Sequence, residues 1–76
     1  MTTGEKIKVR RKELGMTTEE LGRLIGVQRS AVTKYEKGKI DLKNERLKQI
    51  AKALLIPAFE LLSDDPGEVQ SAENER

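Results

Sequence analysis

Apolar side chains recur along the first 62 positions at the spacing of amphipathic helices, and glycines or a proline separate the blocks. The first block opens with "TTGE", in which Thr2 and Glu5 form a capping box, each satisfying an exposed amide of the first turn. It predicts a helix to about Leu14 that buries Ile7 and Leu14 and ends at Gly15. "MTTEEL" repeats the device, with Thr17 as cap, Glu20 returning the bond, and Met16 spaced to staple against Leu21. The second helix is expected to end at Ile25, where Gly26 supplies the left-handed residue of a sharp exit. A third begins at Gln28, with Val27 and Val32 at staple spacing, and closes at Gly38. Gln28 is a poor cap by propensity, which suggests that something besides local stability has chosen it.

In "KIDLKN", Asp41 and Asn44 are both possible caps for a fourth helix, whose apolar stripe is Leu47, Ile50, Ala51 and Leu54. Pro57 suits the first turn of a short fifth helix, "PAFELL". From Ser63 the chain turns acidic around a single apolar Val69, which predicts a disordered tail. No convincing strand, repeat or heptad array appears. The expected architecture is an all-α, five-helix domain over residues 1–63, followed by an acidic, disordered tail over 64–76. Its core would gather Ile7, Leu14, Leu21, Ile25, Val27, Val32, Tyr35, Leu47, Ile50, Leu54, Ile56 and Leu61. Phe59 falls at the edge of the apolar stripe and, if exposed, is a candidate subunit contact.

Composition removes several classes of function. Cysteine and histidine are both absent, so there is no disulfide framework, no thiolate metal site, and neither the commonest general base nor the commonest zinc ligand. No glycine-rich phosphate loop or nucleophile stands out. The acidic pairs Glu19–Glu20 and Asp64–Asp65 read as helix-start charge and tail acidity. No enzyme, metal or cofactor is expected. No run approaches the roughly 20 apolar residues that span a bilayer, and the first ten residues are too polar for a signal sequence, so a cytoplasmic protein is expected. The net charge of +2 hides an asymmetry. Residues 64–76 carry five acids and one arginine, leaving 14 basic and 8 acidic residues in the rest, a net of +6. A basic body with an acidic tail suits a polyanionic partner.

The segment "LGRLIGVQRSAVTKYEKG" carries the candidate chemistry. Counted from Thr18, apolar residues stand fourth, eighth, tenth, fifteenth and eighteenth, with Gly22 fifth and Gly26 ninth. This is the spacing of a helix-turn-helix: the bend needs a glycine, the close approach of the helices needs a small residue, and the apolar set pins their angle. With Val27, Val32 and Tyr35 facing the core, Gln28, Arg29, Ser30, Thr33, Lys34 and Lys37 must face outward. Such a set suits the edges of base pairs in a major groove. Arg29 can pair with guanine O6 and N7, Gln28 with adenine N6 and N7, and Ser30 with either kind of edge. Thr33 and Lys34 complete the candidate base-reading group. Candidate phosphate anchors are Thr17 and Thr18, at the amide-rich start of the second helix, and Lys37, Lys39 and Lys43 in the turn after the third. Lys6 and Arg10 are weaker candidates. Glu36 would repel phosphates unless paired, and Arg11 is its expected partner.

On "IKVRRKELGMTTEELGRLIGVQRSAVTKYEKGK" and "LKQIAKALLIPAFELL" the chain resembles the Cro and lambda-repressor-like (xenobiotic-response-element) helix-turn-helix regulators, over roughly residues 4–62. The resemblance implies a five-helix, lambda-repressor-like DNA-binding domain that binds operator DNA as a two-fold dimer and represses or activates transcription. By the match, Arg29, Ser30 and Lys34 take base-reading places, Gln28 starts the recognition helix, and Arg11 and Glu36 form the family's interhelical ion pair. The chain departs from the common pattern at Thr18, where the family often has glutamine, at Gln28 (serine or threonine), at Arg10 (apolar) and at Asn44 (leucine). The expected function is a sequence-specific, double-stranded-DNA-binding transcriptional regulator. It would read a near-palindromic operator as a homodimer joined through the C-terminal helices. The alternative is an antitoxin-like protein-interaction module, on whose partner the tail from Asp64 would order.

Overall fold

The computed structural model describes residues 1–62, all of whose regular structure is helical. The elements are α1 (Thr3–Glu13), α2 (Thr18–Ile25), α3 (Arg29–Glu36), α4 (Asn44–Ala53) and α5 (Ala58–Leu62). The predicted acidic tail lies outside the described residues.

Local chemistry sets most of the boundaries. Both capping boxes form. The Thr2 hydroxyl accepts from the Glu5 amide at 3.2 Å while the Thr2 amide donates to Glu5 Oε1 at 2.8 Å. Thr17 and Glu20 repeat the exchange at 3.0 and 2.8 Å. Gly26 ends α2 in the left-handed region, at φ 76°, where a side chain would be strained. The fourth helix is a correction: neither Asp41 nor Asn44 caps it, because Lys43 holds the N-cap place and makes no side-chain cap bond. Likewise Pro57 precedes α5 rather than lying in its first turn, and its carbonyl accepts from the Glu60 amide at 3.1 Å.

Each helix sends a side chain into one shared core. Ile7, Leu21, Val32, Ile50 and Leu61 are fully buried, joined by Leu54 just past the end of α4. Ala51 belongs to this core as well, whereas Leu14, Val27 and Ile56 are only partly buried against it. The first helix is tied down at two further places. The Thr3 hydroxyl donates to the Leu61 carbonyl at 2.8 Å, and Arg10 Nε donates to the Leu54 carbonyl at 2.9 Å. Gly4 packs so closely on α3 that a Cβ there would lie 2.6 Å from the Tyr35 carbonyl oxygen, and closer still to that of Glu36. No side chain fits. The result is a frame that presses on the C-terminal end of α3.

Candidate nucleic-acid interface

The helix-turn-helix is built from α2, a three-residue turn and α3. Its angle has a local cause. At Gly22, a Cβ would stand 2.6 Å from the Val27 carbonyl oxygen and 3.3 Å from the Gln28 carbonyl carbon, so the incoming strand of the turn lies directly against α2. The Val27 amide donates back to the Gly22 carbonyl at 2.8 Å. Val32 and Tyr35 are buried and fix the rotation of α3 about its own axis.

That rotation leaves Gln28, Arg29, Ser30, Lys34 and Lys37 exposed. Arg29, Ser30, Thr33, Lys34 and Lys37 line one shallow concavity with Thr18 and Lys39. Four of these seven residues are cationic and none is acidic, so the surface offers a positive field and several donors to one ligand. Gln28 occupies the N-cap position without using its side chain as a cap, which leaves the amide available to a ligand. Thr33 is half-buried and its hydroxyl donates to the Arg29 carbonyl at 3.2 Å. What it can still offer a base is an acceptor oxygen and a methyl group.

The phosphate candidates divide. Thr18, Lys37 and Lys39 join the concavity of α3. The Thr17 oxygen is engaged as the α2 cap. Lys43, at the N-cap of α4, borders a separate groove with Tyr35, Asp41 and Glu45. Arg10 is engaged within the protein: its Nε donates to the Leu54 carbonyl and its Nη1 lies 3.3 Å from Glu13.

Glu36 is kept away from this surface. Arg11 Nε and Nη2 reach its two carboxylate oxygens at 2.7 and 3.2 Å, and Nη1 donates to the Met16 carbonyl at 2.8 Å. The two side chains are only 10% and 6% exposed, so the acid is neutralised inside the protein and the positive field of α3 is preserved. The same guanidinium joins α1 to α3 and to the residue before the α2 cap. By contrast, the Glu19–Arg23 pair on α2 spans 3.9 Å with both side chains about 70% exposed, and contributes little.

Sequence reasoning missed two residues that shape this region, Gly4 and Arg46. Gly4 carried no turn signal. Arg46, in the first turn of α4, reads as a solvated charge but donates to the Ile25 carbonyl at 2.8 Å. Among the described residues no group of three or more His, Cys, Asp or Glu could hold a metal.

The chain belongs to the helix-turn-helix family, which its residues 7–61 match, in the Cro and C1-repressor (xenobiotic-response-element) type. A helix-turn-helix transcriptional regulator of Sinorhizobium medicae (strain WSM419) is 37% identical over 65 residues, covering 86% of this chain and 47% of that protein. Repressor protein C2 of Salmonella phage P22 is 32% identical over 73 residues, covering 96% of this chain and 34% of the repressor. The chain thus spans about half the length of its bacterial relatives and about a third of the phage repressor. The P22 c2 repressor crystallised with synthetic operator 9T superposes with a TM-score of 0.79 at 32% identity, covering 86% of this chain and 98% of that one. The biofilm master regulator SinR, also solved with DNA, gives 0.75 at 27% identity, covering 82% and 100%.

Proposed function

We propose that residues 1–62 are the operator-reading module of a sequence-specific transcriptional regulator. One observation carries the reading: the exposed side of α3 gathers Arg29, Ser30, Thr33, Lys34 and Lys37 into one acid-free concavity, while the acid of that helix is buried against Arg11. In this reading the N-terminal turn of α3 enters the major groove, where Gln28, Arg29 and Ser30 meet base edges and Lys34 reaches a base or a phosphate. Thr18 at the start of α2, with Lys37 and Lys39 after α3, grips the backbone and sets the register, while Thr17, committed to its cap, and Lys43, in the neighbouring groove, lie at the margin of that contact. The named relatives are regulators, and two of the superposed proteins were solved on DNA, which favours a duplex over a protein partner.

One copy of α3 reads too few base pairs to be selective, so we take the active species to be a two-fold dimer. Its two recognition helices would lie about 34 Å apart on a near-palindromic operator. Phe59 and Leu62 on α5, 67% and 52% exposed, suit the contact between copies. No described helix is long and apolar enough to cross a membrane.

Selection of bound duplexes from a random pool tests the reading. A motif with two-fold symmetry and half-site centres about one helical turn, roughly 10 base pairs, apart is expected. Recovery of unrelated sequences would overturn sequence-specific reading, and an unpaired half-site would overturn the dimer.

A further inference from the structure

We infer that Arg46, on α4, is a positioning residue for base reading: it clamps the C-terminal end of α2 and so holds the turn that aims α3. The inference rests on the DNA-reading function proposed above and adds to it a residue that need never touch DNA. Arg46 is half-buried, and its Nη1 donates to the Ile25 carbonyl at 2.8 Å and to Gln49 Oε1, also at 2.8 Å. Ile25 is the last residue of α2, so its carbonyl has no partner within that helix. A guanidinium there satisfies the carbonyl and sits at the negative end of the helix dipole. Gln49, one turn further along α4, holds the guanidinium in place.

The site of attachment gives the bond its consequence. Directly after Ile25 come the left-handed Gly26 and then Val27 and Gln28, the whole link between the two helices. That link is held on one side by the contact of Gly22 with the Val27 and Gln28 backbone. Arg46 restrains its start, through the Ile25 carbonyl. Its own helix is a firm base, because Leu47, Ile50 and Ala51 are buried in the core. Without the clamp, the last turn of α2 can fray into water, Gly26 can take up the motion, and Arg29 and Ser30 lose their fixed direction. Loss of aim weakens bonds that depend on geometry, such as bidentate base contacts. It leaves almost untouched the attraction between lysines and phosphates, which depends on charge.

The test uses Arg46→Met, which keeps the apolar stem and removes the donors, and compares the duplex selected by the parent chain with a random duplex of equal length. Binding is measured across a salt series, well below the unfolding temperature of each protein. The expected result is a loss of roughly ten-fold or more in discrimination, equivalent to about one base contact per half-site. Affinity for the random duplex and the salt slope should not change. Gln49→Ala should move discrimination the same way by a few-fold, and it carries the test where Arg46→Met does not fold. Unchanged discrimination in the variants, beside a parent that discriminates, would overturn the clamp alone. Parallel loss on both duplexes, with a salt slope lower by about one, would make Arg46 a phosphate contact and likewise overturn it. A parent that does not discriminate would take down the DNA-reading function and this inference together.

Discussion

Removing Glu36 should come close to unfolding the domain, although the residue belongs to a polar pair rather than to the apolar core. In the intact protein the Arg11 guanidinium makes three bonds, two to Glu36 and one to the Met16 carbonyl. Glu36→Ala removes two of them and leaves a cation on a side chain only 10% exposed. Breaking such a buried pair from one side costs about 3–5 kcal/mol. A single core in a domain below about 80 residues rarely supplies more than about 3–5 kcal/mol. At about 4–8 °C per kcal/mol for a domain of this size, the melting temperature should fall by roughly 12 °C or more. Circular dichroism melts and urea titrations of Glu36→Ala, Arg11→Met and the double variant Arg11→Met/Glu36→Leu measure it. The double variant removes both charges, so it should recover most of the loss, short of the parent by the Met16 carbonyl bond. A Glu36→Ala cost below about 1 kcal/mol would refute the reasoning, because it would place the pair in water rather than in the protein.

Three further outcomes are expected. Gly22→Ala places a Cβ 2.6 Å from a backbone oxygen that cannot yield cheaply, so stability should fall by about 1–3 kcal/mol, and discrimination between duplexes should fall with it; melting and binding curves report the two effects. The backbone amide of Thr2 holds the Glu5 carboxyl below the usual glutamate range against an opposing effect of desolvation, with lesser help from the Thr2 hydroxyl and the chain N-terminus. A lowered folded value means that the box stabilises α1 above the unfolded pKa and is lost as pH falls through the folded one. The protection of amides at the start of α1, taken relative to their intrinsic exchange rate at each pH, should therefore fall on acidification, while Glu5→Gln should show no such step. Finally, Lys39→Ala should weaken selected and random duplexes alike and lower the salt slope by about one, whereas the parent should lose several orders of magnitude in affinity between about 50 and 200 mM salt.

The parts of this fold legible in the sequence are those whose causes are local. A threonine and a glutamate three residues apart announce a helix start wherever they fall, and the boxes at Thr2 and Thr17 both form. The apolar phase of α3 determines which of its side chains can be inward, and Val32 and Tyr35 are buried accordingly. What escaped notice depends on partners far along the chain. Arg46 looks like an ordinary solvated charge and Arg10 like a phosphate anchor, yet they bind the carbonyls of residues 21 and 44 positions away. Gly4 carries no turn, and its need for glycine arises only because the backbone of α3 crosses it. The start of α4 is illegible for a different reason: two good capping residues flank it, but the core packing of Leu47 and Ile50 sets the register, leaving Lys43 at the cap. Leu55 takes a left-handed conformation at φ 62°, a place where glycine would be expected, and no local pattern foretells it.

The most direct test compares duplexes that differ from the selected motif at one base pair per half-site, bound by the parent chain and by Arg29→Ala. Parent affinity should drop by about 1–3 kcal/mol at the pair read by Arg29, and the variant should be indifferent at that pair while keeping its preferences elsewhere. If Arg29→Ala preserves the parent's preference at every position, the exposed face of α3 is not what reads the sequence.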